Sequence, residues 1–169
     1  ERTAAERASF ARALDKMGSW YAHKLTTTVS MSVAPAGSSA TPYGERGWTT
    51  FERRVSQLVK GAISNSWRKL ADASVVRTVG PCGGAYIEPP MHPRAFAAAL
   101  ARKTFTNGRS DCELVAGLYY DTLAGSLGHV EKLIYMSCGW GDEEVARLAE
   151  VLEWARGATT LNLLGNPRI

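Results

Sequence analysis

Two short stretches near the end of the chain constrain it most: "LIYMSC" (Leu133 to Cys138) and "LNLLGN" (Leu161 to Asn166). Both read L-x-[YL]-x-x-[CN], and matching positions lie 28 residues apart, 133 to 161 and 138 to 166. Apolar residues at alternate positions describe a short strand. Between the two, Asp142 to Ala155 places Val145, Leu148, Ala149 and Leu152 inward at helical spacing, so a helix is expected there. A strand, a turn at Cys or Asn and a helix, returning after a fixed period, mark a stacked repeat. Each unit of such a stack buries its apolar face only against a neighbour, so two strands cannot stand alone. They are expected to pack on the preceding part of the chain or to be followed by more units.

Upstream, helix and strand patterns alternate, which reads as α/β. Thr3-Ala4-Ala5-Glu6 fits a capping box. It opens a helix with Phe10, Ala13, Leu14, Met17 and Tyr21 on one face, ending near His23. Leu25 to Val33 is rich in β-branched residues and reads as a strand, followed by a loop from Ala34 to Pro42. Trp48, Phe51, Val55 and Leu58 share one helical face, with Gly61 as the stop and Arg53 and Arg54 pointing away. Ser74 to Val79 is a second strand. Pro93 suits a first helical position, with Phe96, Ala97 and Leu100 inward. Ser110-Asp111-Cys112-Glu113 fits a second capping box, opening a helix with Leu114, Val115, Leu118, Tyr119 and Leu123 inward and Gly128 as its end. Three regions follow: an α/β region over 1–80, a helical connector over 81–128 and the repeat pair over 129–169.

Composition narrows the chemistry. The 169 residues carry a net charge of +4, and no apolar run approaches the length of about 18 residues that crosses a bilayer. Cys82, Cys112 and Cys138 are widely spaced and odd in number, as are His23, His92 and His129. Neither a disulfide framework nor a metal site is expected, and a reducing compartment is. There is no phosphate-binding G-x-x-x-x-G-K-[ST] and no G-x-S-x-G elbow. Asn107, Gly108 and Arg109, just before a helix, form a candidate anion site, weighed against a plain helix–helix turn. Cys82 in Gly80-Pro81-Cys82-Gly83-Gly84 lacks a base or cation nearby and reads as a turn. Arg53, Arg54, Lys60, Arg68 and Lys69 with Trp67 read as a solvated helix face rather than a nucleic-acid surface.

Two resemblances go further. The repeat pair resembles leucine-rich repeats of the ribonuclease-inhibitor type. The stretch "GERGWTTFE" (Gly44 to Glu52) resembles the middle of a TIR domain, whose pattern runs S-x-W-C-x-x-E-L. Glu52 lies four residues after Trp48, as that pattern has it, while Thr49 stands where Cys is usual and Arg53 where Leu is usual. Taken with "RTAAERASFARAL" and "KTFTNGRSDCELVAGLY", the chain is similar to TIR-like repeat proteins of unicellular algae. The resemblance implies the later part of a flavodoxin-like parallel sheet over roughly residues 1–80, with earlier strands preceding Glu1. In NAD-cleaving members it also implies a catalytic carboxylate, carried over to Glu52, with NAD as substrate and no resident cofactor. A carboxylate beside the ribose stabilises the oxocarbenium-like charge that builds as the nicotinamide bond breaks. The plainer expectation for Glu52 is an acid in the first helical turn that complements the helix dipole.

The leading expectation is therefore a non-enzymatic protein-interaction or scaffold module, whose repeat surface takes a protein partner. It could serve as an accessory subunit of a larger assembly or self-associate, and no nucleic acid is expected. The alternative is NAD hydrolysis at Glu52.

Overall fold

Helix α1, Ala4–Ala22, begins where the sequence caps it: the Thr3 hydroxyl accepts from Glu6 N at 3.3 Å, and Thr3 N donates to the Glu6 carboxylate at 2.7 Å. The computed structural model describes residues 3–23, 26, 28–31, 36–59, 76–79 and 87–169. The inward stripe expected of α1 is only half used. Met17 and Tyr21 pack on the core, and Gly18 and Ala22 are buried, but Phe10 stays 45% exposed. The reason lies in the last turns, where α1 meets α2 and α4. A Cβ at Gly18 would lie 1.9 Å from the Thr122 hydroxyl, so this contact closes only around glycine.

Strand β1, Thr28–Met31, pairs in parallel with β2, Val76–Val79, and helix α2, Gly47–Gln57, lies between them in sequence. Parallel neighbours need a crossover rather than a hairpin, and a strand–helix–strand order supplies one. The predicted strands spanned Leu25 to Val33 and Ser74 to Val79. Their flanks at Leu25, Thr27, Val33, Ser74 and Val75 lie outside the described residues, as do Lys60, Gly61, Trp67, Arg68, Lys69 and the Cys82 loop. Phe51 and Val55 of α2 and Leu58 at its C-cap are buried, and Trp48 meets Phe51 edge-on at 6.3 Å.

Helix α3, Pro93–Leu100, starts at its proline and buries Phe96 and Leu100. Helix α4, Arg109–Gly128, runs across it. Phe96 stacks on Tyr119 with ring centres 3.8 Å apart. The Tyr119 hydroxyl donates to Met91 O at 2.8 Å and accepts from Met91 N at 3.0 Å. The second capping box is a correction. α4 starts two residues earlier, behind Gly108, and Ser110 donates back to Asn107 O instead of capping. The inward stripe shifts accordingly to Asp111, Val115, Leu118, Tyr119, Leu123 and Leu127, and Leu114 is exposed.

Strand β3, Lys132–Ile134, and strand β4, Thr160–Asn162, pair in parallel, with Lys132 opposite Thr160 and Ile134 opposite Asn162. The register offset is 28 residues (132 to 160), identical to the spacing of the sequence motif. The same translation holds behind the strands, where Leu123 and Val151, then Leu127 and Ala155, are all buried. Helix α5, Asp142–Ala149, connects the strands but is shorter than the Asp142 to Ala155 expectation. A turn and a 3₁₀ segment, Leu152–Trp154, follow it. That change of pitch rotates the buried face to Leu148, Val151 and Ala155, leaving Ala149 and Leu152 exposed.

The motif's last position does the stitching. Asn166 is buried, and its side-chain oxygen accepts from Cys138 N at 2.8 Å and Trp140 N at 3.1 Å. Its amide donates to Tyr135 O at 2.8 Å and Leu163 O at 2.7 Å. Both strand turns are thereby satisfied by one side chain, as buried backbone groups require. Tyr135 and Trp140 stack at 4.6 Å. They tie the strand pair to the rest of the chain: Tyr135 Oη donates to Leu58 O at 3.0 Å, and Trp140 Nε1 to Ile87 O at 2.7 Å. One continuous core runs from Phe51 through α3 and α4 to Ala155. The fold is a mixed helix-and-strand α/β arrangement with two parallel pairs among the described residues.

Candidate functional site

Glu52 is the sixth residue of α2, so it lies a turn beyond the helix start. The expected role as a first-turn acid is corrected by this: no acid occupies the first turn of α2. Glu52 is half-buried, facing α1. Burial pushes its carboxyl above the usual glutamate range, and a hydrogen bond from the Tyr21 hydroxyl opposes that rise without cancelling it. Burial, then the charge and hydrogen bond of Glu52, raise Tyr21 in turn to about 12. The pair pins the last turn of α1 to α2. The Tyr21 hydroxyl thereby occupies one face of the Glu52 carboxyl.

Asn107, Gly108 and Arg109 are brought together at the start of α4, with Gly108 in the left-handed region at φ 60°. Their side chains are spent within the protein. Asn107 Nδ2 donates to both oxygens of Asp111 at 3.2 and 3.3 Å, and Arg109 pairs with Glu113 at 2.8 Å. Asp111 also accepts from Trp48 Nε1 at 3.1 Å. Burial pushes the Asp111 carboxyl up, but the bonds from Trp48 and Asn107 outweigh it and hold it below the usual aspartate range. The loop thus already carries its own anion, and that anion fastens α4 to α2.

Arg53 and Arg54 were expected on a solvated face. Both instead pair with Glu88, at 3.3 and 3.0 Å, and Arg54 is largely enclosed. Gln57 joins this group by accepting from Glu88 N at 3.3 Å. Nothing in the spacing of Arg53 and Arg54 foretold a shared carboxylate as distant in sequence as Glu88.

Clefts open on the surface formed by the described residues. One of about 750 Å³ lies where α1 and α4 end, lined by Ser19, His23, Asp121, Thr122, His129 and Glu131 among others. Another of about 500 Å³ lies beside Phe105, Arg109 and Cys112. Neither is lined by Glu52. No cluster of metal-ligating side chains occurs among the described residues.

The remaining surface is the outer side of the strand pair. Leu133 is 1% exposed, but Leu161, its counterpart one period later, is 44% exposed. Leu164 is 68% exposed, and Leu152 and Ile169 are exposed as well. The two units have the same chemistry but different surroundings: Leu133 belongs to the core shared with α2 and α4, and Leu161 lies outside it. The stretch from Thr160 to Asn166 carries no charge. Sequence reasoning found the motif but not this asymmetry, which depends on which unit packs against the helical core. No family model, curated protein or solved structure matches the chain.

Proposed function

We propose that the chain is a protein-interaction module whose contact surface is the exposed outer side of β4. The observation that carries this is the contrast between buried Leu133 and exposed Leu161 at equivalent positions of a two-unit stack. An apolar, uncharged edge beside exposed Leu164 is costly to leave in water and is the kind of surface partners cover. The reading rests on the leucine-rich-repeat resemblance, which the matching 28-residue register and the Asn166 turn support. The parallel β1–β2 pair around α2 supports a TIR-like, flavodoxin-like arrangement of the first region in the same way. NAD cleavage at Glu52 is the less supported reading, because the carboxyl is engaged by the Tyr21 hydroxyl and lines neither described cleft.

One paired experiment separates the two. Immobilised chain and its Leu161→Lys/Leu164→Lys variant are compared for captured proteins at matched folding, and both are assayed for nicotinamide release from NAD. A stoichiometric partner held by the parent and lost from the variant, with no nicotinamide released, is the expected result. Nicotinamide release abolished by Glu52→Gln, with no surface-dependent partner, would overturn the proposal.

A further inference from the structure

Asn107 precedes Gly108, and that order of residues carries a chemistry of its own. An asparagine carboxamide lies within reach of the next residue's backbone nitrogen. When that nitrogen attacks Cγ, a five-membered succinimide closes, the Cγ–Nδ2 bond breaks, and ammonia leaves with the proton the nitrogen gave up. Water then opens the ring at either carbonyl, giving aspartate or isoaspartate. The following residue sets the pace, because its Cβ crowds the attack, and glycine has none. The four asparagines differ in this respect. Asn166 precedes Pro167, which has no N–H to give up. Asn162 precedes the bulky Leu163, and Asn65, outside the described residues, precedes Ser66. Asn107 and Gly108 are both exposed, and a Cβ built on Gly108 would meet nothing within 4 Å. The bond from Gly108 N to Phe105 O is long, at 3.4 Å.

We propose that Asn107 is a site of spontaneous deamidation, and that its product releases the contact between α4 and α2. The carboxamide that is lost is part of that contact. Asn107 Nδ2 donates to Asp111 Oδ1 at 3.2 Å and to Oδ2 at 3.3 Å, and Oδ2 also accepts from Trp48 Nε1 of α2 at 3.1 Å. An ionised carboxylate accepts and does not donate. A carboxylate at position 107 therefore replaces two donations with a like charge at the same place, and Asp111 must turn from it and from Trp48. The start of α4 favours negative charge, but Asp111 already supplies it, and direct contact between two carboxylates outweighs the helix dipole. The isoaspartate product also adds a methylene to the main chain just before the N-cap Gly108. The bond from the Ser110 hydroxyl to Asn107 O, at 3.1 Å, spans that point. The coupling runs both ways. Attack on Cγ requires the side chain to swing off Asp111, so conversion follows how often the contact opens locally. The turn is thus a timer that the fold slows and that, once run, loosens the fold at the same place.

The purified full chain is aged in warm, mildly alkaline buffer, digested and mapped by mass spectrometry. Asn107 should gain one mass unit at least tenfold faster than Asn162, with both aspartate and isoaspartate formed. Conversion at Asn107 no faster than at Asn162 overturns the site. The aged species carries one more negative charge, so ion exchange separates it from the unaged chain. Hydrogen exchange at the Trp48 indole should be at least tenfold faster in the aged species than in the unaged chain. Asn107→Asp should reproduce that quickening without ageing. Asn107→Gln, whose longer side chain closes the ring far more slowly, should gain no mass at position 107 and keep its fresh Trp48 exchange rate after the same treatment. If the aged species and Asn107→Asp both exchange at the rate of the unaged chain, release of the α4–α2 contact is overturned, even where Asn107 converts.

Discussion

Replacing Asn166 by Ala should be among the costliest single changes in the chain. The side chain is 7% exposed and makes four hydrogen bonds, two as acceptor from Cys138 N and Trp140 N and two as donor to Tyr135 O and Leu163 O. Each net bond is worth about 0.5–1.5 kcal/mol, and each buried donor left without a partner costs about 1–3 kcal/mol. Partial rehydration of the turn offsets some of this, so a loss of about 3–5 kcal/mol is expected. For a chain of this size that lowers Tm by roughly 6–20 °C. Urea unfolding followed by circular dichroism measures the loss, and amide exchange should quicken first at Cys138 and Trp140. Asn162→Ala is the internal comparison. Among the described residues its side chain accepts from Leu164 N at 3.0 Å, in an exposed position, so it should cost under about 1 kcal/mol. A loss under about 1 kcal/mol for Asn166→Ala, or equal losses for the two variants, would refute the claim that one amide holds both turns.

Further outcomes follow from other contacts. Gly47→Ala places a Cβ 1.9 Å from the Phe105 ring and should destabilise by about 1–3 kcal/mol, largely relieved by Phe105→Ala in a double-mutant cycle. Asp111→Ala strips Trp48 Nε1 of its acceptor and should cost about 1–3 kcal/mol near neutral pH. Because the folded Asp111 pKa is lowered, its contribution is present above the ordinary aspartate value of 3.8 and is lost as pH falls through the folded value, which paired acid-unfolding curves would show. Glu52 has the opposite sign. Its folded pKa is raised above 4.5, so stability should fall as pH climbs from there through the folded value, and Glu52→Gln should flatten that slope. Phenolate absorbance should show Tyr21 and Tyr119 remaining neutral past the ordinary value of 10, titrating only near 12 or on unfolding.

Much of the local structure was legible because local causes set it. Thr3 with Glu6, Pro93 and the Phe51–Val55–Leu58 stripe each announce an element through neighbours a turn away, and each is where the chain places it. The repeat was legible for a different reason: two motifs at one offset fix a register, and β3 and β4 adopt it. What the sequence hid depends on distant partners. Ser110 and Glu113 read as a capping box, but the side chain that fastens this turn is Asp111, whose carboxylate accepts from Trp48, 63 residues away. Arg54 looked solvated until Glu88 closed over it. Phe10 matched the inward stripe of α1, but the helix meets the core only from Met17 onward, and no spacing rule reports where a neighbour stops.

The bond from Tyr135 to Leu58 joins positions 77 residues apart. A ribosome adds about 5–20 residues per second, so Leu58 is made roughly 4–15 s before the side chain that closes over it. During that interval the apolar face of α2 has no Tyr135 or Trp140 to seal it. The first half of this protein is therefore a nascent chain in waiting, and its exposure to chaperones during synthesis is set by how late that tyrosine emerges.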